Sequence, residues 1–164
     1  MTALFWLAAG VAVVATGMVV TRSDAVHALM YLVVSLLAVA VDFWLLGAPF
    51  VAALEVIVYA GAILVLFVFV VMLIGAHAAS DRERLRLTPG AWLGPGLLAL
   101  VLLAEIGWIA LRPTAGAAGL WIGPKEVGMA LYGPYVLGVE AASFLLLAGL
   151  VGAWHLGRRT DRVE

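Results

Sequence analysis

The sequence predicts an all-α, polytopic membrane protein of five transmembrane helices, with the N-terminus outside and the C-terminus cytoplasmic. Three observations carry that expectation. The 164 residues are 66% hydrophobic and 12% charged, against roughly 45–50% and 25% in a soluble domain. Five nearly uncharged runs reach the roughly 20 residues that cross a hydrocarbon core of about 30 Å. The basic residues fall mainly in alternate connections between those runs. A soluble chain of this length leaves too much surface exposed to hide so much apolar content, so lipid is the solvent. The net charge of −1 gives no reason to expect nucleic acid as a partner. The absence of cysteine excludes a disulfide framework and any thiolate-ligated zinc or iron–sulfur centre built from this chain alone.

The first run, 3–20, ends in the polar turn Thr21, Arg22, Ser23 and Asp24. It lacks a basic leading segment, and its apolar stretch of about 19 residues exceeds a usual signal h-region, so a retained helix is expected. The second run, 25–46, is interrupted near its end by Asp42, and Gly47, Ala48, Pro49 and Phe50 then read as a tight loop. The third, 51–74, is broken only by Glu55. A polar stretch containing Asp81, Arg82, Glu83, Arg84 and Arg86 leads through Pro89 and Gly90 to the fourth run, 91–111, which contains Glu105. Residues 112–130, rich in Gly, Pro and Ala, read as a loop with an interfacial Trp121. The fifth run, 131–156, contains Glu140 and precedes a polar tail. With no internal repeat and no soluble stretch, residues 1–164 read as a single membrane domain. Arg22, Arg82, Arg84, Arg86, Arg158, Arg159 and Arg162 all fall on one side of a five-helix arrangement, and only Arg112 and Lys125 on the other. The positive-inside rule puts the larger group in the cytoplasm.

Ionisable groups at membrane depth are expensive, about 2.5–3.5 kcal/mol for a charge at the centre of a helix on insertion scales. Asp42, Glu55, Glu105 and Glu140 are therefore the first functional candidates, and all four are expected in the outer half. Asp42 and Glu55 flank a short loop, and their plainer reading is that they reach water from helix ends. Glu140, about nine residues or roughly 14 Å into the fifth run, has no basic neighbour within a turn. It requires a partner, a hydrated cavity or a proton of its own. Glu55 and Tyr59 stand at i and i+4 on one helix face, and Gly61 follows, removing bulk and weakening the helix. The plainer reading there is a packing tyrosine beside a packing glycine. His27, His77 and His155 fall near helix ends beside basic residues, which favours interfacial histidines over haem ligands. Gly10, Gly17, Gly138, Gly149 and Gly152 mark surfaces for close helix approach, within the chain or against other subunits. No nucleophile elbow, phosphate loop, dinucleotide fingerprint or metal motif occurs, so no catalytic residue is assigned and the chain reads as a component.

At residues 50–73 the core Glu55-x-x-x-Tyr59-Ala60-Gly61-Ala62, followed by a Val/Phe-rich run, resembles the J subunit, or chain 6, of the proton-pumping NADH–quinone oxidoreductase, respiratory complex I. Val26-His27-Ala28-Leu29, Ser35-Leu36-Leu37-Ala38 and Leu131-Tyr132-Gly133-Pro134-Tyr135-Val136-Leu137, with Glu140, Ala142 and Ser143, extend the resemblance to runs one to three and five. Run four carries little that is diagnostic. One departure is Asp24-Ala25 where the family often has Asn-Pro, which loses a fixed proline φ. The resemblance implies a bacterial-type inner membrane location and a subunit linking the quinone-reduction module to the antiporter-like subunits. Its implied partners are the quinone-binding subunit, the small K subunit and the antiporter-like subunits. FMN, iron–sulfur clusters, NADH and quinone would be used by the complex, with none held in this chain. In the family the third helix can carry a π-bulge and rotate. Carried over, Tyr59 would gate a water chain, Glu55 would be a polar element of it and Gly61 would ease the register change. Glu140 would belong to the same path, and Asp42 and Glu105 would be supporting carboxylates. A structural scaffold and a small ion-transporter subunit are the alternatives, and a related membrane hydrogenase or antiporter complex could use a similar chain. The transporter reading predicts repeats or broken helices, and the sequence shows no repeat.

Overall fold

A computed structural model describes residues 2–78, 92–111 and 121–157. Among them there is no strand, and five helices are long and apolar enough to cross a membrane. The chain divides into two compact units, Met1–Ile122 and Gly123–Glu164. The polar stretch with Asp81, Arg82, Glu83, Arg84 and Arg86 lies outside the described residues, as do Arg112 and the tail arginines.

The first unit opens with α1 (Thr2–Thr21) and α2 (Ala25–Leu45). Asp24 caps α2: its side chain accepts the His27 backbone N–H at 3.0 Å, and its Oδ1 lies 3.2 Å from His27 Nδ1. An N-cap acceptor satisfies one of the donors that a helix start leaves open. That backbone hydrogen bond, outweighing partial burial, holds the Asp24 carboxyl below the usual carboxylate range. So the turn between α1 and α2 is fixed by a capping aspartate.

Small residues let α1 and α2 pack closely, as they do generally between membrane helices. Ala8, Ala15 and Ala38 have no exposed surface. One cluster joins Val11, Ala15, Val34, Ala38 and Leu102, and a second joins Ala8, Val41 and Leu45 with Leu4, Phe5 and Ile109. Between α1 and α2, Thr16 Oγ1 and Ser35 Oγ lie 2.7 Å apart, and Ser35 also donates to the Ala12 carbonyl at 3.2 Å. The helix approach thus runs along alanines, whereas a Cβ placed on Gly10 or Gly17 would meet open space.

α2 ends at Gly47, whose φ of 81° is a left-handed conformation that suits glycine. The expected four-residue loop is shorter than its residues suggested. Pro49 is already the first helical residue, because a proline at N1 has no donor to lose and a φ suited to the helix. The third span is continuous in three parts: α3 (Pro49–Leu54), a π-helical segment (Glu55–Ile63) and α4 (Leu64–Ala78). α5 (Leu93–Leu111) packs on α1 and α2. Its close approach to α2 is at Gly94, where any Cβ would collide with the Tyr31 hydroxyl. Arg22 covers the same tyrosine, its Cζ 5.4 Å from the ring centroid and its Nη2 donating to the hydroxyl at 3.4 Å.

In the second unit, α6 (Pro124–Leu131) is a helix where the sequence reads as loop. Pro124 sits at N1, and Glu126 accepts the Gly123 N–H at 3.0 Å. The fifth span, α7 (Val136–Gly157), starts five residues later than expected. Tyr132, Gly133, Pro134 and Tyr135 form a turn in which a Cβ at Gly133 would stand 2.7 Å from the Met129 carbonyl oxygen. Proline disfavours the α conformation of the residue before it, so α6 and α7 cannot merge. Glu140 then lies four residues from the start of its helix, about 6 Å along the axis rather than 14 Å.

Candidate functional site: a π-helical third span

Three consecutive β-branched residues, Val56, Ile57 and Val58, and then Gly61 weaken the α-helical preference of the third span. The backbone responds by widening. The Leu64 amide donates to the Tyr59 carbonyl, five residues back, and the residues flanking the segment, Leu54 and Leu64, keep right-handed helical angles. π-helical turns are rare and concentrate at functional sites. Here the segment runs for nine residues, and none of them is buried.

Gly61 sits inside the segment, where an added Cβ would lie 3.1 Å from the Val56 carbonyl oxygen. Val56 is the residue five positions earlier, in the i to i−5 relation that defines a π turn. A side chain at Gly61 therefore presses on an acceptor position of the π register itself. Tyr59 is 53% exposed within the chain and Glu55 is half-buried. Among the described residues the two share a face without a hydrogen bond to each other. Any link between phenol and carboxylate therefore needs a water or a partner group.

The other carboxylates divide differently. Asp42 and Glu105, separate in sequence, stand on helices that pack together, α2 and α5, where Val41 and Ile109 share an apolar cluster. Glu105 is 4% exposed, and among the described residues neither of its carboxyl oxygens has a hydrogen-bond partner, nor has Asp42 Oδ1. Glu140 lies in the second unit, on an exposed position of α7. His27 is buried with Nδ1 beside Asp24, His155 is exposed on α7, and the His77 side chain lies outside the described residues. Among the described residues, no group of three or more metal-binding side chains occurs.

A groove of about 760 Å³ separates the third span from α5, with α2 as its floor. It is lined by Val34, Val41, Ala52, Val56, Leu102 and Ile106 among others, and Trp44 and Trp121 meet edge-to-face at one end, centroids 6.2 Å apart. The Ile122 N–H donates to the Gly47 carbonyl at 2.8 Å, tying the segment that carries Trp121 to the end of α2. The groove is not legible in the sequence, since each lining residue reads singly as apolar helix surface.

Comparison with known proteins places these features in a family. The family model for NADH-ubiquinone/plastoquinone oxidoreductase chain 6 matches residues 15–156. The chain belongs to that family. It is 57% identical over 159 residues to the NADH-quinone oxidoreductase subunit J of Pseudomonas aeruginosa, covering 94% of this chain and 95% of the relative. It is 49% identical to subunit J of Escherichia coli (strain K12), over 94% and 85% of the two chains, and 40% identical to that of Rhodobacter capsulatus, over 96% and 82%. The resemblance read at residues 50–73 thus extends through nearly the whole chain, run four included. The chain is a multi-pass membrane protein of the subunit J, or chain 6, type.

Proposed function

We propose that this chain is a non-redox membrane subunit of NADH-quinone oxidoreductase, placed between the quinone-reduction module and the antiporter-like subunits, where its third span gates a proton and water path. The observation that carries the reading is the nine-residue π-helical segment Glu55–Ile63 with no residue buried in the chain. A segment with no buried residue and a non-optimal register is suited to hold a second register close in energy, and coupling requires such a two-state element. Conversion to α would turn α4 by about 100° and shift it by about 1.5 Å relative to α3. Tyr59, inside the segment, would then bring its phenol into or out of a water chain that begins at Glu55. Glu140 would receive protons on α7, with the N-terminus outside and the arginine-rich ends in the cytoplasm of a bacterial inner membrane. Electron transfer through FMN, iron–sulfur clusters, NADH and quinone would belong to other subunits, among them the quinone-binding subunit; the small K subunit and the antiporter-like subunits would flank this chain.

The test is NADH-driven, quinone-dependent proton pumping in membranes carrying Gly61→Val, with assembly followed on native gels. An assembled complex whose turnover and pumping fall together is the expected result. An assembled complex that pumps normally would leave the chain a scaffold.

A further inference from the structure

We infer that Asp42 and Glu105 hold one proton between them, forming a buried carboxyl–carboxylate site between α2 and α5 that is separate from the π-helical segment. The inward stripe of α5 reads Leu98, Leu102, Glu105 and Ile109, at helical spacing. Leu102 belongs to one apolar cluster and Ile109 packs against the other, so Glu105 is the polar member between two apolar layers. Asp42 follows Val41 of the second cluster directly.

Both Glu105 carboxyl oxygens and Asp42 Oδ1 are buried without a partner among the described residues. Ionised carboxylates only accept hydrogen bonds, whereas a protonated one supplies a donor. Two ionised acids in this place would leave three buried oxygens without a donor and set two like charges on adjoining helices in a low-dielectric layer. One proton supplies the missing donor and removes one of the charges. The groups able to compete are few. α1, packed on both helices, carries no ionisable residue. On α2, His27 and Tyr31 stand at the opposite end from Asp42. On the third span, Glu55 and Tyr59 are the titratable groups between Pro49 and Leu73. Of the two helices packed on α5, only α2 carries an acid, Asp42, beside Val41 of the cluster that Ile109 packs against.

Two other occupants fit less well. Hard cations such as calcium take roughly six to eight oxygens, and no third metal-binding side chain joins this pair among the described residues. A basic side chain from a neighbouring subunit cannot reach a residue only 4% exposed unless the helices part.

Infrared difference spectra of the purified, assembled complex, recorded between mildly acidic and alkaline buffers, test the site. The wild type should retain one protonated-carboxyl C=O band in alkaline buffer. That band should shift in Asp42→Asn and in Glu105→Gln, both isosteric, and disappear in the double variant. Should the double variant not assemble, the two single-variant shifts carry the result. Bands unmoved in both single variants would overturn the inference, as would the loss of two separate bands in the double variant, which would mean a proton on each acid. Loss of the wild-type band on adding sodium or calcium ions would also overturn it, in favour of a cation site. None of these outcomes depends on whether Gly61→Val alters pumping.

Discussion

The block formed by α1, α2 and α5 and the neighbouring third span solve the same problem in opposite ways. In the block, fully buried alanines bring backbones together, a Thr16–Ser35 hydroxyl pair lies across the contact, and Tyr31 fits over Gly94. In the third span, of Pro49–Leu73, only 6% of the most apolar window is buried, against 39% in α2, and its middle leaves the α register. Both are apolar throughout, so hydrophobicity does not separate them. Internal partners do. In lipid, association rests on close packing and interhelical hydrogen bonds rather than on expulsion of water. A span with fewer buried residues among those described can be held, and moved, by something outside it.

The largest effect on coupled turnover should fall on the sparsely buried third span. Valine at Gly61 is expected to reduce coupled turnover about tenfold, equivalent to about 1.4 kcal/mol at the transition state, while native gels show normal assembly. In the packed block the order reverses. Ala38→Leu, overfilling a position with no exposed surface, should destabilise the subunit by about 1–3 kcal/mol. That loss would be read as a lower melting temperature and less assembled complex. Asp24→Ala should cost about 1 kcal/mol through the lost cap, detected as greater protease sensitivity at the start of α2. Because the folded state holds this carboxyl below its ordinary range, the cap's contribution is complete above the unfolded value and fades as pH falls through the folded one. The difference between wild type and Asp24→Ala should therefore shrink in acid. Ser35→Ala should have the smallest effect, about 0.6 kcal/mol for an average interhelical hydrogen bond in a membrane, seen as a slight fall in melting temperature with pumping unchanged.

How much of this was legible in the sequence follows from the range over which each signal acts. Five spans could be counted because length and hydropathy are local. The third span could be singled out because the Glu55, Tyr59 and Gly61 spacing lies within two turns. Helix starts at prolines were less readable: Pro49 and Pro124 look like breaks, yet each begins a helix at N1. Mistaking the turn at Gly133 and Pro134 for helix displaced Glu140 towards the midplane. The packing of α2 on α5, the helices that carry Asp42 and Glu105, was invisible, because it depends on which faces meet. The stripe Leu98, Leu102, Glu105 and Ile109 could have pointed Glu105 inward, although it says nothing of Asp42. The glycines left open whether they meet this chain or other subunits. A small residue permits close approach, but in α1 the alanines provide it and Gly10 and Gly17 face open space.

The central claim is that α4 moves relative to α3 through the π-helical segment. This chain contributes no competing thiol, since it has no cysteine. Spin labels can therefore be placed on the exposed positions Val13 of α1, Leu54 of α3 and Phe69 of α4. Pulsed electron–electron distance measurements on the assembled complex, at rest and frozen during NADH–quinone turnover, would compare two pairs. The account predicts that the Val13→Cys/Phe69→Cys distance splits into two populations during turnover while the Val13→Cys/Leu54→Cys distance stays single. Two unchanged distances, in a complex that still turns over, would contradict it.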